Sequence, residues 1–139
     1  MRLWDYRLIP VLDNKHLVAL WRECIAIKRQ WEKGTLKHRL VSYVMDYPRS
    51  CFFRYVEKVR DEMCDRHINF QNKYWEEIMK FCNDDNSKDY SIYPEHNDRY
   101  LLQCLYNLEE KATRGIISKD EWKKIYNKFK DFTELWDGE

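Results

Sequence analysis

Three glycines and three prolines in 139 residues leave few places for the chain to turn tightly, which excludes an all-β architecture with its need for frequent turns. No segment approaches the roughly 18 consecutive apolar residues of a membrane helix, so a soluble protein is expected. The net charge is only +1, from 25 basic and 24 acidic side chains, so no overall surplus draws the chain to a polyanion. The five cysteines, Cys24, Cys51, Cys64, Cys82 and Cys104, are odd in number and contain no C-x-x-C pair. With no leader-like opening segment, they point to a reducing, cytoplasmic setting in which they serve as core thiols. Cys64 and His67 form one C-x-x-H, but no second ligand pair stands nearby, so neither a metal nor a cofactor is expected. Repeats and low-complexity tracts are absent.

What the chain has in quantity is large side chains and charge together: 44% hydrophobic, 16% aromatic and 35% charged residues. Helices that are bulky on one face and ionic on the other accommodate that mixture. The expectation is an all-α protein, a single compact domain over residues 1–139, of three to five helices with an extended N-terminal arm.

The arm is residues 1–12, where Pro10 interrupts any helix and the apolar residues are unevenly spaced. A first helix starts at Asp13 or Asn14, carries Leu17, Leu20, Trp21, Cys24, Ile27, Lys28 and Trp31 at three- and four-residue steps, and stops at Gly34. Residues 36–46 read either as a helical turn or two or as a buried linker. Pro48 suits the first position of a second helix, with Phe52, Tyr55, Val56, Val59 and Met63 as its inner stripe to about Arg66. A short helix around Tyr74–Phe81 precedes an acidic, exposed loop from Asn83 to Tyr93. A further helix is expected from about Pro94 to Arg114, burying Leu101, Cys104 or Leu105, Leu108 and Ala112. The last begins at an S-x-x-E capping box, Ser118 and Glu121, with Ile117 stapled on Trp122.

Charge is unevenly spread. Lys28, Arg29, Lys33, Lys37 and Arg39 stand against Glu32, a local surplus of four, whereas residues 84–98 are acidic. On the first helix His16 and Glu23 are seven residues apart and share a face. An ordinary boundary glutamate paired with an arginine would produce the same pattern.

The segment from Asp13 to Glu23, with His16-Leu17, four residues, then Arg22-Glu23, resembles the first helix of the phage endonuclease V type of pyrimidine-dimer DNA glycosylase and abasic-site lyase. Glu62–Asn69 resembles the end of that family's second helix, and Tyr106–Lys111 part of its third. The resemblance implies a monomer acting on damaged double-stranded DNA, with the N-terminal amine of Met1 as nucleophile and Glu23 as the catalytic carboxylate. An α-amino group ordinarily titrates near 7.7–8.0 and lysine near 10.4, so the former is far more often neutral at pH 7. The substrate-binding residues implied are Arg2, His16, Arg22 and Lys111. Lys28 and Arg29 would stand in for a family arginine that falls here on Ala26, and a second family arginine falls on Asn107.

The family chain begins with threonine followed by arginine. Here Met1 precedes Arg2, and a residue as large as Arg2 keeps the methionine in place. Matching Met1 to that threonine requires one inserted residue before His16. Two other readings compete with the enzyme: a DNA-binding module of the same fold without the chemistry, and a protein-interaction domain, which the near-neutral charge fits most simply.

Overall fold

The computed structural model describes residues 1–132, and every regular element among them is helical. The α-helices are α1 (Asn14–Lys33), α2 (Arg49–Asp65), α3 (Asn72–Asn83), α4 (Asp98–Thr113) and α5 (Lys119–Phe129). Short 3-10 segments occupy Tyr6–Val11, Ser42–Asp46 and Lys130–Phe132. The all-α expectation holds, at the upper end of three to five helices. The described residues gather into two compact units: Met1–Leu3 with Leu17–Tyr93, and Trp4–His16 with residues 94–132.

In the first unit α1 ends where Gly34 adopts φ 73°, a conformation that costs a residue without a Cβ little. Thr35 N–H then donates to the Gln30 carbonyl at 2.8 Å and Gly34 N–H to that of Trp31 at 3.0 Å, satisfying two carbonyls that the helix cannot. The undecided stretch from 36 to 46 is a loop closed by a 3-10 turn, with Leu36, Val41 and Val44 buried. Pro48 is the N-cap of α2 rather than its first helical residue, and it has no side-chain oxygen to offer. Asp85 supplies one, accepting from Arg49 N–H at 2.6 Å. The expected stripe of α2 is buried throughout, and α2 packs on α3. Trp31 meets Phe52 and Phe81 edge-on, at 5.8 and 5.2 Å between ring centres. The acidic loop is largely exposed but firmly attached: the Asp89 carbonyl accepts from Ser50 Oγ and Cys51 Sγ, while Tyr93 is buried against Tyr43 and Tyr47.

In the second unit the N-terminal arm departs from expectation, because Tyr6–Val11 is a 3-10 helix containing Pro10. Asp5 starts it by accepting from Arg7 N–H at 2.9 Å. Pro10 has no N–H to give the Arg7 carbonyl three residues back, and that oxygen instead accepts from Lys128 Nζ at 3.0 Å. The helical turn buries Leu8, Ile9 and Val11. Helix α4 begins four residues later than expected, at Asp98, because Asn97 caps it by accepting from Tyr100 N–H at 3.0 Å. Both Cys104 and Leu105 are buried, while Ala112 is only half-buried. The Ser118–Glu121 capping box forms with both reciprocal bonds, at 3.1 and 2.9 Å, and Ile117 is buried beside it.

Two consequences are measurable. His67 ends α2 at φ 58°, in the position where α1 uses Gly34, and its side chain is exposed. Replacing His67 with glycine relieves about 1 kcal/mol of backbone strain, so thermal denaturation should move up by roughly 3–5 °C. His96, 5% exposed, accepts from Tyr6 N–H through Nδ1 at 3.3 Å, and burial lowers its pKa to about 4. The unfolded chain therefore takes up the proton first. The stability due to this group is complete above about pH 6.5 and is lost as pH falls toward 4, by about 2 kcal/mol at pH 5. Urea titrations at several pH values should show this decline, and His96→Gln should flatten it.

Candidate active site

The site is built from the first three residues and the middle of α1, all in the first unit. Leu3 is 0% exposed and seats the start of the chain in the core. That seating carries the preceding peptide to α1, where Arg2 N–H donates to Glu23 Oε2 at 3.2 Å. Glu23 is half-buried, because Cys24 next to it faces the core and Arg22 before it faces solvent. Burial first, and then the charge of Glu23, raise the pKa of Cys24 and keep it a thiol. Met1 is 37% exposed. One residue spans at most about 3.6 Å, so the terminal amine lies within about 7 Å of the Glu23 carboxylate, a gap suited to one sugar.

Beside Arg22 the α1 surface opens into a groove of about 700 Å³ lined in part by Trp21, Arg22, Ala26, Arg29, Phe70 and Tyr74. Arg29, expected as a substrate contact, holds Glu77 of α3 with two bonds, at 2.9 and 3.1 Å, and lies over the Tyr74 ring. Lys28 is oriented differently. Its side chain is only 6% exposed and its ammonium sits 2.8 Å from Glu32 and 3.2 Å from Glu77. Burial opposes the charge of Lys28, but the two carboxylates outweigh it and raise the pKa. Glu77 moves the other way: its bond to Arg29, against burial and with help from Lys28, holds its pKa low. Lys28 thus ties α1 to α3 from inside, and its charge is engaged by acids rather than turned to solvent.

Two expected contacts, His16 and Lys111, belong to the second unit. His16 Nδ1 is 2.9 Å from the Asp13 carboxylate, which also accepts from the His16 backbone N–H at 3.3 Å, and its ring meets Trp4 edge-on. Burial would raise the Asp13 pKa, but the bond to His16 and its charge more than offset that and lower it. A carboxylate on Nδ1 fixes the ring's orientation and leaves Nε2 as its second functional nitrogen. The D-x-x-H spacing at a helix start carried this signal in the sequence, where Asp13 was read only as a cap. Lys111 lies in the last turn of α4, half-buried. Among the described residues no group of three or more His, Cys, Asp or Glu is placed to hold a metal ion, and no helix is long and apolar enough to cross a membrane.

The described residues thus form an all-helical fold that lays the start of the chain against a carboxylate borne on its first α-helix. The chain belongs to the pyrimidine dimer DNA glycosylase family, whose model matches residues 1–76, from the terminus through α1 and α2 into α3. No curated protein and no solved structure matches the chain.

The double pairing of Glu77 makes a local prediction. Glu77→Ala strands the buried Lys28 ammonium beside a single, more exposed partner and should cost about 2 kcal/mol. Glu32→Ala removes a 55% exposed carboxylate and should cost about 0.5 kcal/mol or less. Chemical denaturation of the two variants distinguishes them.

Proposed function

We propose that the protein is a DNA glycosylase with abasic-site lyase activity on pyrimidine-dimer-containing duplex DNA, with the Met1 amine as nucleophile and Glu23 as the catalytic carboxylate. The observation that carries this reading is the bond from Arg2 N–H to Glu23, one residue from the amine. Family membership supports the substrate class.

The neutral amine attacks C1′ of the 5′ nucleotide of the dimer. The C1′–N1 electron pair departs with the base, which stays tethered through the cyclobutane ring to its 3′ neighbour. The attacking nitrogen loses a proton, the sugar ring opens with a proton delivered to O4′, and a protonated imine joins Met1 to C1′. Removal of a C2′ proton then sends electrons toward C3′ and expels the 3′ phosphate, and water releases the amine. Each stage places positive charge at C1′ or moves a proton beside it. A carboxylate a few ångströms away stabilises that charge and relays those protons, contributions typically of 10²- to 10⁴-fold.

Around this centre Arg2 and the exposed Arg22 are the cations nearest in the chain, and both are assigned to DNA contact, as is Arg29. Lys28 contributes through the α1–α3 linkage. Ala26, where the family pattern has arginine, lines the groove and favours a second reading, a DNA-binding module without the chemistry.

Borohydride reduction of the imine on ultraviolet-irradiated duplex separates the two. The enzyme should yield a covalent adduct mapped to Met1, which Glu23→Gln lowers by about 100-fold or more and acetylation of the amine abolishes. Absence of adduct from protein with a free Met1 amine and demonstrated DNA binding would leave the binding module.

A further inference from the structure

The basic surplus beyond Arg29 takes up no part of the site described above. Its one acid, Glu32, is drawn to Lys28, and among the described residues no carboxylate lies within ion-pair distance of Lys33, Lys37 or Arg39. All three cations are exposed. They are not carried on a loose segment. Gly34 and Thr35 close α1, Leu36 and Val41 are buried on either side of the turn, and the His38 carbonyl accepts from Val41 N–H at 3.1 Å and Ser42 N–H at 2.9 Å. His38 Nδ1 also accepts from Leu40 N–H at 3.3 Å. Between these anchors Lys37 and Arg39 project from a fixed turn with Leu40, a leucine left 48% exposed.

We infer that Lys33, Lys37 and Arg39 form a second DNA contact that grips the phosphate backbone away from the lesion, with Leu40 set against the sugars between the gripped phosphates. This deepens the proposed function by assigning a binding surface for the flanking duplex. Charge complementarity selects the occupant: a cation at the end of α1 and two on the fixed turn after it, none paired with a carboxylate among the described residues, match a polyanion of regular spacing. The helix sets the distance. Ten residues of α1 separate Glu23 from Lys33, about 15 Å along its axis. At about 3.4 Å per nucleotide this corresponds to four or five nucleotides from the reacting sugar.

The test is equilibrium binding, by fluorescence anisotropy, to an intact duplex between about 50 and 200 mM salt. Lys37→Ser/Arg39→Ser should bind more weakly, with the slope of log K against log salt reduced by roughly two. Lys124→Ser, an exposed lysine on α5, serves as the control and should leave the slope unchanged. Two kinds of duplex bearing an abasic-site analogue locate the contact, one with about ten base pairs on each side and a shorter one that keeps ten on one side and about two on the other, prepared with either side shortened. The double variant should be impaired on the longer and match the unaltered protein on one of the two shorter. An unchanged slope, equal impairment on the longer duplex and both shorter ones, or binding of the unaltered protein to anionic lipid vesicles but not to duplex would overturn the inference. The assay needs no catalysis: a missing borohydride adduct with a reduced slope would sink the enzyme reading and leave this contact standing.

Discussion

Chain termini are ordinarily the least ordered part of a domain, because nothing holds them on one side. In this protein that freedom is removed at once. Leu3 is fully buried, and the Arg2 N–H before it bonds to Glu23, so the chain is held within one residue of its start. A buried leucine contributes on the order of 2 kcal/mol, and a hydrogen bond to a charged acceptor adds to it. Those modest energies hold the start of the chain against α1. Catalysis by proximity requires that the reacting groups be ordered before substrate arrives, and a terminus can meet that condition only if its neighbours are packed.

The rest of the first unit supports α1 behind that contact. The apolar stripe from Leu17 to Ile27 fixes its rotation, and the Lys28–Glu77–Arg29 linkage joins it to α3. A buried lysine is an expensive way to connect helices, since both its desolvation and that of its partners must be offset. It also gives direction: a methionine in its place would pack but would not require two acids at fixed positions. The groove beside Arg22 is lined by α1, by Asn69–Gln71 and by Tyr74 of α3, so its shape depends on this linkage.

Much of this was legible in the sequence. Helical spacing located α1, α2 and the core of α3, and Ser118 with Glu121 marked the start of α5, because these signals are local. H-L…R-E identified the helix that carries the acid. What was not legible depended on partners distant in sequence. The cap of α2 comes from Asp85, 36 residues away. The helicity around Pro10 requires Lys128 to satisfy a carbonyl. The spacing set Lys28 among the stripe residues of α1 while its charge pointed to a DNA contact, and only the pairing with Glu77 of α3 explains its burial. No periodicity encodes that Arg2 lies against Glu23, since a terminus has no pattern to continue.

The cap that Asp85 gives α2 also closes what would otherwise be an anion site. A helix start with unsatisfied N–H groups is a ready-made phosphate cradle. That of α2, lacking a cap of its own, would have been the obvious place for a backbone phosphate to lodge in any register. Asp85 fills it with the chain's own anion. With that start occupied from within, the N-terminus of α2 is satisfied by a carboxylate 36 residues away and has no need of an external anion.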